Sequence, residues 1–202
     1  MPWTAAILIH LLVTLHGVDQ DKVIDRNTLL ETELISMSVS DQAVRNRMTK
    51  FFQSGEEIPP ELAKEVAEVD KANRERLKEI VAEHGWPTYA LVGATAAHAA
   101  WLLVQHSDRD IEFQKKCLAL MEPLVEKNQV GKSDFAYLWD RVAVNSGKKQ
   151  RYGSQIEKKD GKWQPKPVED PKNLDKRRAE VGLSPMSYYL KMFEQLFGKG
   201  KG

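Results

Sequence analysis

Hydrophobic residues recur every three or four positions along most of the chain, which is the spacing of one face of a helix. The first stretch with this spacing runs from about residue 28 to residue 52, and its phase changes around residues 38 to 41. Ser40 is of a type that caps helix N-termini, because its hydroxyl can accept a hydrogen bond from a free backbone N–H. This stretch is therefore predicted to hold two shorter helices with a cap between them.

Six further stretches carry the helical spacing. Pro60 suits the first turn of the next helix, and Gly85 suits the left-handed position that ends it. The helix after Gly93 is rich in alanine and apolar nearly all round, which places it centrally. The predicted ranges are about 61–83, 94–105, 110–127, 133–144, 173–181 and 184 to 197.

The pattern changes after Gly147 and favours a β-hairpin at about 150–168. Asp160-Gly161 is a preferred dipeptide of the type I′ turn. Pro165 and Pro167 limit the second strand to an edge, and a lone hairpin is stable only when packed on other elements. The predicted fold class is mainly α: a single-domain helical bundle over residues 23–197 with one β-hairpin near the C-terminal third, followed by a tail at 198–202.

Residues 1–22 form an apolar N-terminal segment that has two interpretations. The run from Ala5 to Leu15 is too short to span a bilayer but resembles the apolar core of a signal peptide. No Lys or Arg precedes this run, however, so a first helix packed on the domain through Trp3, Ile7 and Leu11 is the alternative. No stretch of the chain predicts a transmembrane span.

Composition excludes several classes of protein. Charged residues make up 29% of the 202 residues and balance to a net charge of +1, so nucleic acid is not a predicted partner. Cys117 is the single cysteine and lies in an apolar run, which excludes a disulfide framework and a cysteine-rich zinc site. The chain has no phosphate-binding glycine loop, no His-Glu-x-x-His helix and no Gly-x-Ser-x-Gly elbow. The sequence therefore does not identify a reaction.

Polar side chains occupy several positions that the helical spacing assigns to buried faces. Asn73 and His84 are in phase with the apolar residues of the second helix, and Gln114 is in phase with those of the fourth. A buried amide requires hydrogen-bond partners, or it costs about 1 to 3 kcal/mol. His84 opens the corner His84-Gly85-Trp86-Pro87 and is expected to point inward, with capping of the last carbonyls as its alternative role.

These positions belong to a larger set of candidate site residues. Histidine can transfer protons near neutral pH, and arginine, amides and a phenol suit a small polar or anionic molecule. The candidates for catalysis are His84, His106, Asp140 and Tyr152; those for binding are Asp41, Arg45, Asn73, Gln114, Arg141, Gln150 and Gln155. The first hypothesis for this set is an enzyme with His-based acid–base chemistry. Its alternatives are a non-catalytic small-molecule-binding or protein-interaction module and a purely structural polar network.

No metal or other cofactor is predicted. The alternative is a metal site built from His98 and His106 with His84 and a carboxylate. His98 and His106 lie eight residues apart, about 80° out of phase on an ideal helix, so they do not share one face.

At these residues the chain resembles a bacterial family classed as domain of unknown function 6624, from about Leu30 to Tyr189. The family more often has Thr where Ser154 stands, which keeps the hydroxyl. The resemblance implies that the polar residues share one site, and it brings no established activity or substrate. Family members often carry an N-terminal export segment, which favours an exported or periplasmic location over a cytoplasmic one. The matching pieces are Asp41-Gln42 with Arg45, Asp70 with Asn73, His84-Gly85-Trp86-Pro87, Gln105-His106, Phe113-Gln114, Asp140-Arg141, Gln150-Arg151-Tyr152-Gly153-Ser154-Gln155, and Arg177-Arg178 with Gly182.

Overall fold

A computed structural model describes residues 26–197 as a set of helices with one two-stranded hairpin. The predicted class, mainly α with a hairpin in the C-terminal third, is confirmed. The apolar segment at 1–22 and the tail at 198–202 lie outside the described residues. The elements are α1 (Thr28–Ser54), α2 (Pro60–His84), α3 (Tyr89–Gln105), α4 (Ile111–Val125), α5 (Lys132–Asn145), β1 (Ile156–Lys159), β2 (Lys162–Pro165), α6 (Leu174–Glu180) and α7 (Met186–Phe197).

Helix α1 is continuous, so the predicted division into two helices is wrong. The hydroxyl of Ser38 donates to the carbonyl of Ile35 at 2.8 Å, and that of Ser40 donates to the carbonyl of Ser36 at 3.2 Å. Both serines thus bond back into the preceding turn and do not cap a new helix. Gly55, with φ of 74°, ends the helix.

Helix α3 lies at the centre of the core, as its composition predicts. It packs against α1, α2, α4 and α5. Ala96 and Ala100 are fully buried, and their small side chains let the neighbouring helices approach closely. The helix begins before Gly93, earlier than predicted, and bends there. Gly93 has φ of 76°, and a β-carbon at this position would lie 2.3 Å from the guanidinium of Arg26.

The hairpin has the predicted turn and shorter strands than predicted. Asp160 and Gly161 both have positive φ, 50° and 77°, as the type I′ turn requires. Each strand is four residues long, and Lys159 pairs with Lys162. Trp163 of β2 packs edge-on against Phe193 of α7 at 4.8 Å between ring centroids. The hairpin is therefore stabilised by α7. Across residues 26–197, each helix is too short or too polar to cross a membrane.

Candidate functional site

A cleft of about 350 Å³ opens between α3, α5, the start of the hairpin and α7. Three of the predicted site residues line it: His106, Arg141 and Gln155. The others lie behind its wall or elsewhere. The lining residues are Trp101, Leu102, Gln105, His106, Tyr137, Arg141, Ser154, Gln155, Ile156, Tyr189 and Phe193.

His106 caps the C-terminal end of α3 and is oriented by a buried carboxylate from α1. Its Nδ1 lies 2.9 Å from Oδ1 of Asp41, which is completely buried. Because an ionised carboxylate only accepts hydrogen bonds, Nδ1 carries the hydrogen. Nε2 makes no hydrogen bond to any of the described residues. The other oxygen of Asp41 accepts from the amide of Gln42 at 2.8 Å, so the carboxylate is held on both sides.

Arg45 joins this pair to a second carboxylate on α2. Its Nε donates to Oδ1 of Asp41 at 3.1 Å, and its Nη2 donates to Oδ1 of Asp70. Burial by itself raises the pKa of Asp41, but the bond and charge of His106 and the charge of Arg45 outweigh it and hold the pKa below its ordinary value. Burial dominates at Asp70 and raises its pKa despite Arg45.

Asp41, Asp70 and His106 also form the one group among the described residues that could hold a metal ion. One ligand atom from each lies within 4.8 Å of the others. The guanidinium of Arg45, however, already contacts both carboxylates. A metal ion would have to displace that cation or lie beside it.

Arg141 reaches the cleft from α5 and is fixed by a carboxylate of the α3–α4 loop. Its Nε donates to Oδ1 of Asp108 at 2.7 Å, and its Nη2 donates to Oδ2. The amides of Asn145 and Gln114 donate to the same carboxylate at 3.0 and 3.2 Å. Nη1 lies 3.5 Å from Oε1 of Gln155 and is the edge of the guanidinium that Asp108 leaves uncovered.

Asp140 is completely buried and organises the loop that precedes the hairpin. It accepts hydrogen bonds from the backbone N–H groups of Arg151, Tyr152 and Ser154 at 2.7, 2.9 and 2.8 Å. The carboxylate therefore faces the loop backbone, and its contacts are those of a structural residue.

Gln150 continues this loop framework. Its amide donates to the carbonyls of Gln155 and Lys166 at 2.9 and 2.8 Å and accepts from the N–H of Gln155 at 2.9 Å. The hydroxyl of Tyr189, from α7, donates to the carbonyl of Ser154 at 3.1 Å. These bonds place Ser154 and Gln155 in the cleft wall.

The last three candidates also lie outside the lining of the cleft. His84 does not occupy the buried position that the helical spacing predicts: its side chain is 27% exposed and lies 3.5 Å from Glu83, and Trp86 occupies the buried position beyond the helix end. Asn73 is half-buried, and its Nδ2 has no partner among the described residues. The ring of Tyr152 is buried beside the guanidinium of Arg151, 5.8 Å away.

Several cleft residues carry no site signal in the sequence. Trp101 belongs to the predicted central helix and Tyr189 to the predicted inward face of the last helix, whereas Tyr137 lies outside the predicted core face of its helix. Asp108 has one weak signal, its place two residues after His106. The cleft assembles from three separate helices and a loop, so its lining could not be found from the spacing within any one of them.

Comparison with known proteins yields one finding. The model of a family described as a family of unknown function, DUF6624, matches residues 28–201. No curated protein and no solved structure matches the chain.

Proposed function

The chain belongs to DUF6624, and from the geometry of the cleft we propose that it is an enzyme in which His106 exchanges protons with a small polar or anionic substrate. The observation that carries the proposal is the 2.9 Å bond between Nδ1 of His106, at the cleft wall, and the buried Asp41. A histidine held by a carboxylate in this way is a recurring acid–base device in enzymes on unrelated folds.

The proton transfers follow from this bond. Since Nδ1 donates to Asp41, Nε2 has the lone pair and accepts a proton from a substrate hydroxyl or from a water molecule. The oxygen that loses this proton attacks the acyl or phosphoryl centre of the substrate. The imidazolium, stabilised by the Asp41 carboxylate, then returns the proton to the oxygen or nitrogen atom whose bond to that centre breaks. Arg45 and Asp70 act as positioning residues, because Arg45 donates to the same oxygen of Asp41 that His106 contacts and is itself held by Asp70.

The remaining residues of the cleft bind the substrate or hold those that bind it. Arg141 and Gln155 face the substrate. Gln114 acts through Asp108, which orients Arg141, whereas Asp140 and Gln150 hold the loop that carries Gln155. The proposal gives no role in proton transfer to His84, Asp140 or Tyr152 and no role in binding to Asn73.

A screen of chromogenic esters, amides, lactones and phosphate esters tests the proposal, with wild type run beside two variants. His106→Gln removes the base, and we expect turnover to fall by roughly 10²- to 10⁴-fold, the usual contribution of general acid–base catalysis. Asp41→Asn disturbs the tautomer of His106, and we expect its turnover to fall by a smaller factor. His84→Gln, which changes a histidine that does not line the cleft, is the matched control and should retain full activity.

Two outcomes would contradict the proposal. Equal turnover by wild type and His106→Gln would remove His106 from the chemistry. Saturable binding of these compounds without turnover of any of them would make the protein a non-catalytic binding module that uses the same cleft.

A further inference from the structure

We infer that the ligand of the cleft is a small organic anion, a carboxylate or phosphate carried on an apolar, planar body. The inference rests on the proposed function in one respect only, namely that this cleft is the substrate site. Three features of the cleft support it: unsatisfied donors in its wall, its ionisable side chains, and an apolar half.

Two residues of the cleft wall carry a buried side-chain donor that has no acceptor among the described residues. The donors are Nε1 of Trp101 and Nε2 of Gln105. Gln105 is only 6% exposed, and the two residues lie one helical turn apart on α3, next to His106. A buried donor without an acceptor costs free energy, so donors of this kind are normally satisfied by water or by a ligand. Both nitrogen atoms are buried, so a ligand in the cleft reaches them only when the side chains turn them toward it, and it must then present acceptor atoms to this side of α3.

The ionisable groups of the wall favour negative charge. None of the described residues that line the cleft carries a carboxylate, whereas Arg141 and His106 are both basic. Asp108 binds Nε and Nη2 of Arg141 and leaves Nη1 toward Gln155. A guanidinium with a fixed orientation and one uncovered edge can donate to an oxyanion without first losing rotational freedom.

The other half of the cleft is apolar and aromatic. Tyr189 and Phe193 of α7 lie 6.2 Å apart between ring centroids, and Leu102 and Ile156 complete this side. The volume of about 350 Å³ is near the lower end of the range for ligand pockets, roughly 300 to 1,000 Å³. It therefore suits a body of about one ring, with its anionic group turned toward α3.

Nuclear magnetic resonance titrations with four ring compounds test the inference. Benzoate and phenyl phosphate supply the two anions, benzamide is the neutral probe and benzylamine is the cation. We expect one or both anions to shift the indole N–H resonance of Trp101 saturably, and benzamide and benzylamine to bind at least tenfold more weakly. Comparison of the shifts caused by benzoate and by phenyl phosphate shows whether the site binds a carboxylate or a phosphate.

Variants then connect the binding to the two donors. Trp101→Phe removes one hydrogen bond and should weaken anion binding about two- to tenfold, whereas Trp139→Phe, outside the cleft, should not. Gln105→Glu keeps the size of the side chain and adds negative charge, so it should abolish anion binding; Gln53→Glu, exposed on α1, is its control. Thermal unfolding of each variant shows whether it is folded, and if Gln105→Glu is not, Trp101→Phe alone carries the test.

The inference is overturned if benzamide or benzylamine binds as tightly as the anions, or if no probe binds at its highest soluble concentration. It is also overturned if anions bind equally well to folded Gln105→Glu. Anion binding in a protein whose turnover does not depend on His106 would leave the inference standing and remove the proposed function. His106-dependent turnover of a neutral or cationic compound would support the proposed function and overturn the inference.

Discussion

The backbone N–H of Ser154 donates to the carboxylate of Asp140 at 2.8 Å and joins the hairpin loop to helix α5. The N–H groups of Arg151 and Tyr152 bind the same carboxylate, and the carbonyl of Tyr152 in turn accepts from Nη1 of the buried Arg178 at 2.6 Å. The loop is thus held between an anion on α5 and a cation on α6. This arrangement explains how a loop can form a stable cleft wall.

Asp140→Asn should destabilise the protein. The amide oxygen can still accept two of the three N–H groups, but the NH₂ group then faces the third donor. Leaving one buried donor unsatisfied costs about 1 to 3 kcal/mol in the free energy of unfolding. Urea unfolding measures this difference. Glu122→Gln, exposed on α4, should unfold like wild type, and an Asp140→Asn variant as stable as wild type would show that the loop does not depend on the carboxylate.

The pair of Asp108 and Arg141 should make stability fall in acid. Burial by itself raises the pKa of Asp108, but the bonds from Arg141, Asn145 and Gln114 lower it below its ordinary value. A carboxylate with a lowered folded pKa stabilises the protein above its unfolded pKa of about 3.9, and this contribution is lost as the pH falls through the folded pKa.

Urea unfolding of wild type and Asp108→Asn between about pH 6 and about pH 2.5 tests this expectation, since the interval spans the ordinary Asp pKa. The two proteins should differ in stability at the upper end and converge at the lower end. Asp160→Asn, exposed at the type I′ turn, is the control, and its stability should change with pH as that of wild type does. A constant difference between Asp108→Asn and wild type would argue against the pair as its source.

His98 should give the opposite pH dependence. Its Nδ1 lies 3.0 Å from Oδ2 of Asp134, and this hydrogen bond raises the pKa of His98 more than partial burial lowers it. A histidine whose pKa is raised in the folded state stabilises the fold below its unfolded pKa of about 6.5. This contribution to stability is lost as the pH rises through the folded pKa.

The stability difference between wild type and His98→Gln should therefore be largest near pH 5.5, one unit below the ordinary His pKa of about 6.5, and smallest near pH 9. This pH dependence is expected because Asp134 stabilises the protonated imidazole. Urea unfolding at both pH values measures the difference. A difference that grows toward pH 9 would mean that the neutral ring is the better partner of Asp134.

Arg45 should decide whether the cluster of Asp41, Asp70 and His106 binds a metal ion. Wild type is expected to show no change in melting temperature with Zn²⁺, because the guanidinium contacts both carboxylates. Arg45→Met removes that cation, so Zn²⁺ should stabilise this variant. The expected gain is about 2.7 kcal/mol when the Zn²⁺ concentration is 100 times the dissociation constant of the complex. Thermal unfolding with Zn²⁺ and with a chelator measures this. Stabilisation of wild type that disappears in His106→Gln would identify a metal site in the native protein.

Much of the helical architecture could be predicted from local spacing. The period of the apolar residues locates α2, α4 and α5 to within a few residues, and Asp160-Gly161 specifies its own turn, because these preferences act over a few neighbouring residues. The division of α1 was predicted wrongly because Ser38 and Ser40 have two bonding choices, and the same hydroxyl can cap a helix or bond back into it. Packing of α1 along α3 favours the continuous form.

The chain alone determined which residue types were available: histidines at helix ends, an arginine on α5, and a loop dense in amides. The tertiary structure decided which of them meet. His84 and His106 both end helices, yet His84 lies beside its neighbour Glu83, while His106 reaches Asp41, 65 positions away along the chain. The reason is physical: helical spacing defines directions within one element, whereas hydrogen bonds between α1, α3, α5 and the loop depend on how the helices cross.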